Sequence, residues 1–274
     1  MSTQKKHNSE IVATFMFTDI VGYSTLINKN QSLALKLLEE HNQILKPSIE
    51  NHNGEIIKHT GDGYFAYFLS EEDALISAVE FQIKIKHRNE IAQNKHQFQV
   101  RVGIHKGEAV KKNNDLFGHD VNLASRIEGV SVFGGIAVSD DLLKDIGSEK
   151  YYSRQIGHVK LKNINSPLLI HNIYLSEDDY NSQTREDLLK YQKNRGLNIV
   201  DIDEYRIQNT HSLGIIDFKD NVDNAFANQL AKKLIEDFEK INDIRTPSIN
   251  NINKYCKLEL KDDDLARKLK VNNL

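Results

Sequence analysis

One segment limits the folds open to this chain more than any other: IVATFMF, residues 11–17, with Asp19 two positions beyond it. An almost unbroken apolar run of seven residues, rich in β-branched and aromatic side chains and set between polar flanks, suits a buried strand better than a helix. Apolar character resumes in Ile20 and Val21, so Asp19 stands at the mouth of a buried strand. An unpaired buried carboxylate is expensive. Asp19 therefore needs a partner from elsewhere in the fold.

Residues 11–175 alternate strand-like and helix-like segments. In SLALKLLEEHNQILKPSIENH, Leu33, Leu35, Leu37, Leu38, Ile44 and Leu45 fall at roughly helical spacing, and Pro47 is expected to bend or interrupt the helix. GEIIKHTGDGYFAYFL reads as a hairpin, Glu55–His59 and Tyr64–Leu69, around the turn Gly61-Asp62-Gly63. EEDALISAVEFQIKIKHRN reads as a further amphipathic helix, and FQVRVGIHKGEAV alternates as a strand up to Gly103. VNLASRIEGV reads as a short helix, GGIAVS as a strand, and HVKLKN with LLIHNIYL as the closing strands. Mixed strands, hairpins and helices favour an α/β or α+β sandwich over a doubly wound parallel sheet.

The chain has 274 residues, enough for one large domain or one domain with a smaller companion. Lys and Arg number 36 against 39 Asp and Glu, so no global field points to nucleic acid or an anionic membrane. One cysteine, Cys256, excludes an intramolecular disulfide and fits a reducing compartment. The N-terminal MSTQKKHNSE leads into too few apolar residues for a signal-peptide core or a membrane span, so a soluble, cytoplasmic protein is expected, with residues 1–10 disordered. After Leu175 the composition turns polar. Residues 176–211 resemble a linker or an exposed helix. From Ser212 a strand (SLGIIDF), a helix (NAFANQLAKKLIEDFEKI), DIRTPS and LKDDDLARKLKVNNL suggest β-α-β-α, a marginal core by itself.

The polar residues on these segments admit both chemical and structural readings. Asp19 ends the first strand and Asp62 sits in a hairpin turn. If the two strands are neighbours, both carboxylates meet at one sheet edge, a donor set that suits Mg²⁺ with phosphate. Alternatively Asp62 merely forms the turn and Asp19 caps a helix at Gly22. Asn122 and Arg126 are four apart and share a helical face, with Leu123, Ala124 and Ile127 marking the buried side. Such a pair is ordinarily a solvated surface, yet it could grip a phosphate undergoing substitution. Arg101, alternating with valines, either projects to solvent or adds a cation, as does Lys162.

The segments FTDIVGYS, KHTGDG, RVGIH, DLFGHDVNLASR and LKN, in this order and spacing, resemble the catalytic domain of class III nucleotidyl cyclases over residues 11–175. The resemblance implies an α+β, ferredoxin-like sandwich with an antiparallel-rich sheet. It implies two Mg²⁺, replaceable by Mn²⁺, on Asp19 and Asp62, so that a metal rather than a side chain is Asp19's expected partner. It matches Lys58 and Asp115 to purine selection, Asn122 to ribose orientation and Arg126 to the α-phosphate in transit. Arg101 and Lys162 fall where the triphosphate is held, with Lys160 nearby. Asp19 and solvent both remain open as general base.

Adenine N1 accepts a hydrogen bond and its N6 amine donates one, which suits Lys58 and Asp115, and guanine presents the opposite polarity. The expected reaction is ATP to 3′,5′-cyclic AMP and pyrophosphate. Its alternatives are a guanylate or pyrimidine nucleotide cyclase, or a silent nucleotide-binding module. Family sites combine residues of two subunits, so a homodimer is implied. Two departures stand out: His119 replaces an acid common in bacterial relatives, and the segment from Glu108 to Asp115, an intersubunit arm in the family, is short. Residues 212–274 resemble the start of a TolB-N-terminal or FlgO-like domain, and an unidentified regulatory partner is expected to act through residues 176–274.

Overall fold

The computed structural model describes residues 9–203 and 205, apart from the side chain of Lys95, together with the backbone of His211–Ser212 and Ile244–Arg245. The chain divides into two compact units, Met1–Val200 and Asp201–Leu274. Most of the β-α-β-α segment expected after Ser212, and the TolB- or FlgO-like resemblance drawn on it, lie outside the described residues. In the second unit His211–Ser212 pairs in parallel with Ile244–Arg245.

The first unit is built on one sheet. Its strands are β1 (Ser9–Ile20), β2 (Glu55–His59), β3 (Tyr64–Phe68), β4 (Val100–Lys112), β5 (Asp115–Phe117), β6 (Ile136–Ser139), β7 (Ser153–Val159), β8 (Leu168–Ile173) and β9 (Ile199–Val200). They lie in the order β2-β3-β1-β4-β6-β8-β7-β9, with β5 paired to β4. Every pairing is antiparallel except β4 with β6. The helices are α1 (Tyr23–Lys29), α2 (Gln31–Asn51), α3 (Glu71–Ile91), α4 (His119–Val130), α5 (Asp140–Ile146), α6 (Glu177–Ser182) and α7 (Arg185–Asn194). This is the mixed α+β sandwich with an antiparallel-rich sheet that the resemblance implies.

Alternation along β1 and β4 decides which side of the sheet each charge takes. Met16, Ile20, Val100, Val102 and Ile104 join Leu37, Leu45, Phe81 and Leu142 in the core under α2, α3 and α5. Ala13 and Phe15 face the other way, into a core with Val121 and Ala124 of α4. Asp19 and Arg101, odd-numbered in these strands, therefore lie on the α4 side. Gly103 lets the helix settle there, because a Cβ would come within 2.0 Å of the Glu128 backbone nitrogen.

Four expectations need correction. Pro47 does not interrupt α2, which continues to Asn51, since Leu45, Ser48 and Ile49 are buried and tertiary packing outweighs one missing helical hydrogen bond. Ser9 and Glu10, expected in a disordered terminus, open β1 and pair with Lys111 and Val110. Strand β4 continues nine residues beyond Gly103, to Lys112, and returns as β5. The short arm is thus a two-residue hairpin, with Asn113 and Asn114 at φ 54° and 59°, the left-handed pair such a turn requires. Residues 177–200, read as linker or exposed helix, form α6, α7 and β9: Leu188 is fully buried beside Leu123 and Ile127 of α4, and β9 pairs with β7.

Candidate active site

Asp19 and Asp62 come together because of a glycine. The turn after β2 closes with the Thr60 N–H donating to the Gly63 carbonyl at 2.9 Å, and the Tyr64 N–H donates to Thr18 Oγ1 at 2.9 Å. A Cβ on Gly63 would sit 1.7 Å from the Thr18 carbonyl oxygen, so only glycine lets the turn lie against β1. Asp62 is thereby brought to the Asp19 carboxylate and the Ile20 backbone N–H. Burial, then the Asp19 charge, push the Asp62 carboxyl above its ordinary range, against the pull of the backbone N–H groups of Asp62 and Ile20. Helix α1 is capped at Gly22 without any side-chain bond, so the capping reading of Asp19 does not hold.

Contrary to expectation, Asp19 does have a side-chain partner. It lies opposite Arg101 in the β1–β4 register, and Arg101 Nη2 donates to Asp19 Oδ2 at 2.5 Å. The solvent-facing reading of Arg101 is likewise overturned. Its Nε lies 2.9 Å from Glu128 Oε1, an ion pair without hydrogen-bond alignment. Glu128, with a side chain 16% exposed, escaped the sequence reading. Its signal was present, because Val121, Ala124 and Glu128 share one helical stripe and an acid on a buried stripe calls for a cation. Burial pushes the Glu128 carboxyl up to about 7; Arg101 opposes the shift, while Asp19 and Asp62 reinforce it.

Lys58 and Asp115, 57 residues apart, meet directly, with Lys58 Nζ 2.5 Å from Asp115 Oδ2. A register irregularity in β2 between Ile56 and Lys58 re-aims the lysine, whose Nζ lies 5.8 Å from the Phe65 ring centroid. Asp115 is held from below, its Oδ1 accepting the Leu116 N–H at 2.9 Å. Asn122 and Arg126 lie exposed on the outer face of α4, with no side-chain partner among the described residues. Two residues beyond Arg126, Glu128 is turned about 200° around the helix and faces the sheet. Lys162 is exposed in a turn after β7, which ends at Val159, before the KLKN expected to continue it. The structure does not bring it into contact with the other candidates.

The donor set can be tested against the implied metal. Two half-buried carboxylates repel each other where β1 ends beside the β2–β3 turn, and oxygen donors are what Mg²⁺ takes. Among the described residues no three carboxylate, imidazole or thiolate groups are placed to hold one metal ion together. The pair therefore suits an ion that keeps water or phosphate ligands, and does not suit a closed structural site. Among the described residues, no helix is long and apolar enough to cross a membrane.

A family model described as the adenylate and guanylate cyclase catalytic domain matches residues 4–174. A protein of Rhizobium meliloti (strain 1021) named for adenylate cyclase activity is 31% identical over 161 residues, 58% of this chain and 27% of its own length. An adenylate cyclase of Podospora anserina is 28% identical over 48% of this chain, but only 7% of that enzyme is spanned. Among solved structures, an adenylate/guanylate cyclase/hydrolase from Silicibacter pomeroyi aligns at TM-score 0.57 with 31% identity, covering 61% of this chain and 98% of its own. The adenylyl cyclase CyaB from P. aeruginosa shares the fold at TM-score 0.55 and 22% identity, over 63% of this chain and 98% of its own. With the matching segments, their spacing and the fold all in agreement, this chain belongs to the family of adenylate and guanylate cyclase catalytic domains.

Proposed function

We propose that the protein is an adenylate cyclase converting ATP to 3′,5′-cyclic AMP and pyrophosphate at sites shared between two copies of the chain. The Lys58–Asp115 contact carries the base assignment. A cationic donor and an anionic acceptor held 2.5 Å apart offer adenine N1 a donor and its N6 amine an acceptor. Guanine would set donor against donor, and buried mismatched polar groups reject a base by about 1–3 kcal/mol each.

Asp19 and Asp62 would hold two Mg²⁺, which when bound supply charge neutralisation for the attacking 3′-hydroxyl and the leaving pyrophosphate. Asn122 orients the ribose, and Arg126 stabilises charge developing on the α-phosphate. Arg101 and Lys162 hold the triphosphate. For Arg101 this means exchanging its hold on Asp19 for phosphate oxygens, with Glu128 keeping the guanidinium in place. The 200° turn between Glu128 and Arg126 supports a homodimer: one face of α4 serves its own chain's carboxylates while the other presents Asn122 and Arg126 outward. Regulation through residues 176–274 and a cytoplasmic location belong to the same reading.

The test is incubation of the purified protein with each of the four nucleoside triphosphates plus Mg²⁺ or Mn²⁺, with products resolved by mass spectrometry. Cyclic AMP from ATP is the expected product. Preferential formation of cyclic GMP, or no cyclic product from any nucleotide, defeats the assignment.

A further inference from the structure

The last turn of an α-helix leaves carbonyl groups without intrahelical partners, and a cation placed there is favoured by the helix dipole. In α4 these carbonyls are taken by a segment outside the matched family domain, which ends at residue 174. From the end of α7, Arg195 Nη1 donates to the Ser131 carbonyl at 2.6 Å and Nη2 to the Gly129 carbonyl at 3.1 Å. Gln192, fully buried, donates from Nε2 to the Val130 carbonyl at 2.7 Å and accepts from Arg195 at 3.1 Å. The guanidinium packs against two rings, 5.0 Å from the Phe133 ring centroid and 5.7 Å from that of Tyr191, and the two rings meet edge to face at 6.0 Å. Just beyond, the Asn198 carbonyl accepts the Lys160 N–H at 2.9 Å, at the start of the loop that carries Lys162. One short segment thus grips both the end of the helix bearing Asn122, Arg126 and Glu128 and the loop bearing the candidate triphosphate lysine.

We propose that Arg195 and Gln192 are positioning residues for α4, latching its last turn so that its outer face and Glu128 are held at the depth the reaction requires. The proposal rests on the cyclase reading, since it takes α4 to be the helix that meets substrate. A latch of this kind acts on geometry. Displacing groups that act only in the transition state lowers kcat and kcat/KM together and leaves KM nearly unchanged.

The experiment uses the full chain and compares Arg195→Ala, Arg195→Lys and Gln192→Leu with Leu142→Ala. Leu142 lies in the core on the opposite side of the sheet and controls for general loosening. At equal margins below each melting temperature, kcat of Arg195→Ala should fall about ten- to a hundred-fold with KM for ATP within about three-fold. Arg195→Lys, which keeps the charge but not the fork, should recover part of the loss, and Leu142→Ala should stay within about two-fold of wild type. Amide exchange at residues 127–131 should quicken in Arg195→Ala and not in Leu142→Ala. Should Arg195→Ala not fold, Gln192→Leu, which removes the donor to Val130 and the acceptor from Arg195 at nearly constant volume, is read in its place. An unchanged kcat, a loss matched by Leu142→Ala, or unchanged exchange in α4 overturns the latch. If wild type itself forms no cyclic nucleotide the cyclase reading fails instead, and the exchange measurement still decides whether the latch fixes α4.

Discussion

On the face of α4 that packs against β4, Glu128 is 16% exposed and paired with Arg101, which in turn holds Asp19. On the opposite face Asn122 and Arg126 are exposed and without partners among the described residues. The inner cluster finds its partners within one chain but only in part, with one cation among three carboxylates, two of which have raised pKa values. The outer pair makes no side-chain bond among the described residues. The difference gives the helix two unlike sides, and on the proposed reading its outer side meets groups of a second copy of the chain.

The largest effects should come from removing one member of each side. Asp62→Ala and Arg126→Ala should each lower kcat by roughly 10³-fold or more, through loss of several kcal/mol of transition-state charge stabilisation. The two lesions should separate in a melting experiment, because Mg²⁺ added to wild type should raise its Tm, and this rise should vanish in Asp62→Ala but survive in Arg126→Ala. A folded Asp62→Ala protein with near-normal turnover would sink the metal assignment.

The next test asks whether the two sides serve different sites. Mixing the two inactive variants should restore about a quarter of wild-type activity. Random pairing makes about half the dimers mixed, and each then holds one intact site of two. No recovery in demonstrably mixed dimers would place all catalytic groups on one chain and remove the distinction between the faces.

A smaller change is expected from Lys58→Glu with Asp115→Cys, which reverses the hydrogen-bond polarity offered to the base. The ratio of kcat/KM for ATP over GTP should fall by about an order of magnitude or more. An unchanged ratio means the base is read elsewhere.

The smallest effect concerns stability alone. Glu128 keeps its proton up to about pH 7 in the folded chain, against an ordinary value of 4.5. Between those values the folded state binds more protons than the unfolded state, so this group's contribution to stability falls as pH rises through the window. In chelator, wild type should lose about 2–3 kcal/mol more than Glu128→Gln between about pH 5 and about pH 8 in denaturant titrations. Parallel pH profiles for the two proteins would mean the inner carboxylate is not strained.

Much of this was readable in one dimension. Apolar runs and turn residues are local signals, so IVATFMF, the Gly61-Asp62-Gly63 hairpin and the helix at VNLASRIEGV are legible wherever they occur. The identity of Asp19, Asp62, Lys58, Asp115, Asn122 and Arg126 as candidates was legible from motif order and spacing. The α2 helix through Pro47 was not, because its continuity rests on burial of Leu45 and Ile49 against distant strands. Nor was Asp19's pairing with Arg101, 82 positions along the chain, since strand register is fixed only when both strands lie in the sheet. The docking of α7 was hidden for a related reason: a polar stretch such as REDLLKYQKNRG reads as solvent-exposed, and only the tertiary structure supplies the open carbonyls at the end of α4 that Gln192 and Arg195 meet. Sequence set which residues could do chemistry, through their type and local periodicity; the tertiary structure decided which of them face one another, because those contacts join segments that no local rule connects.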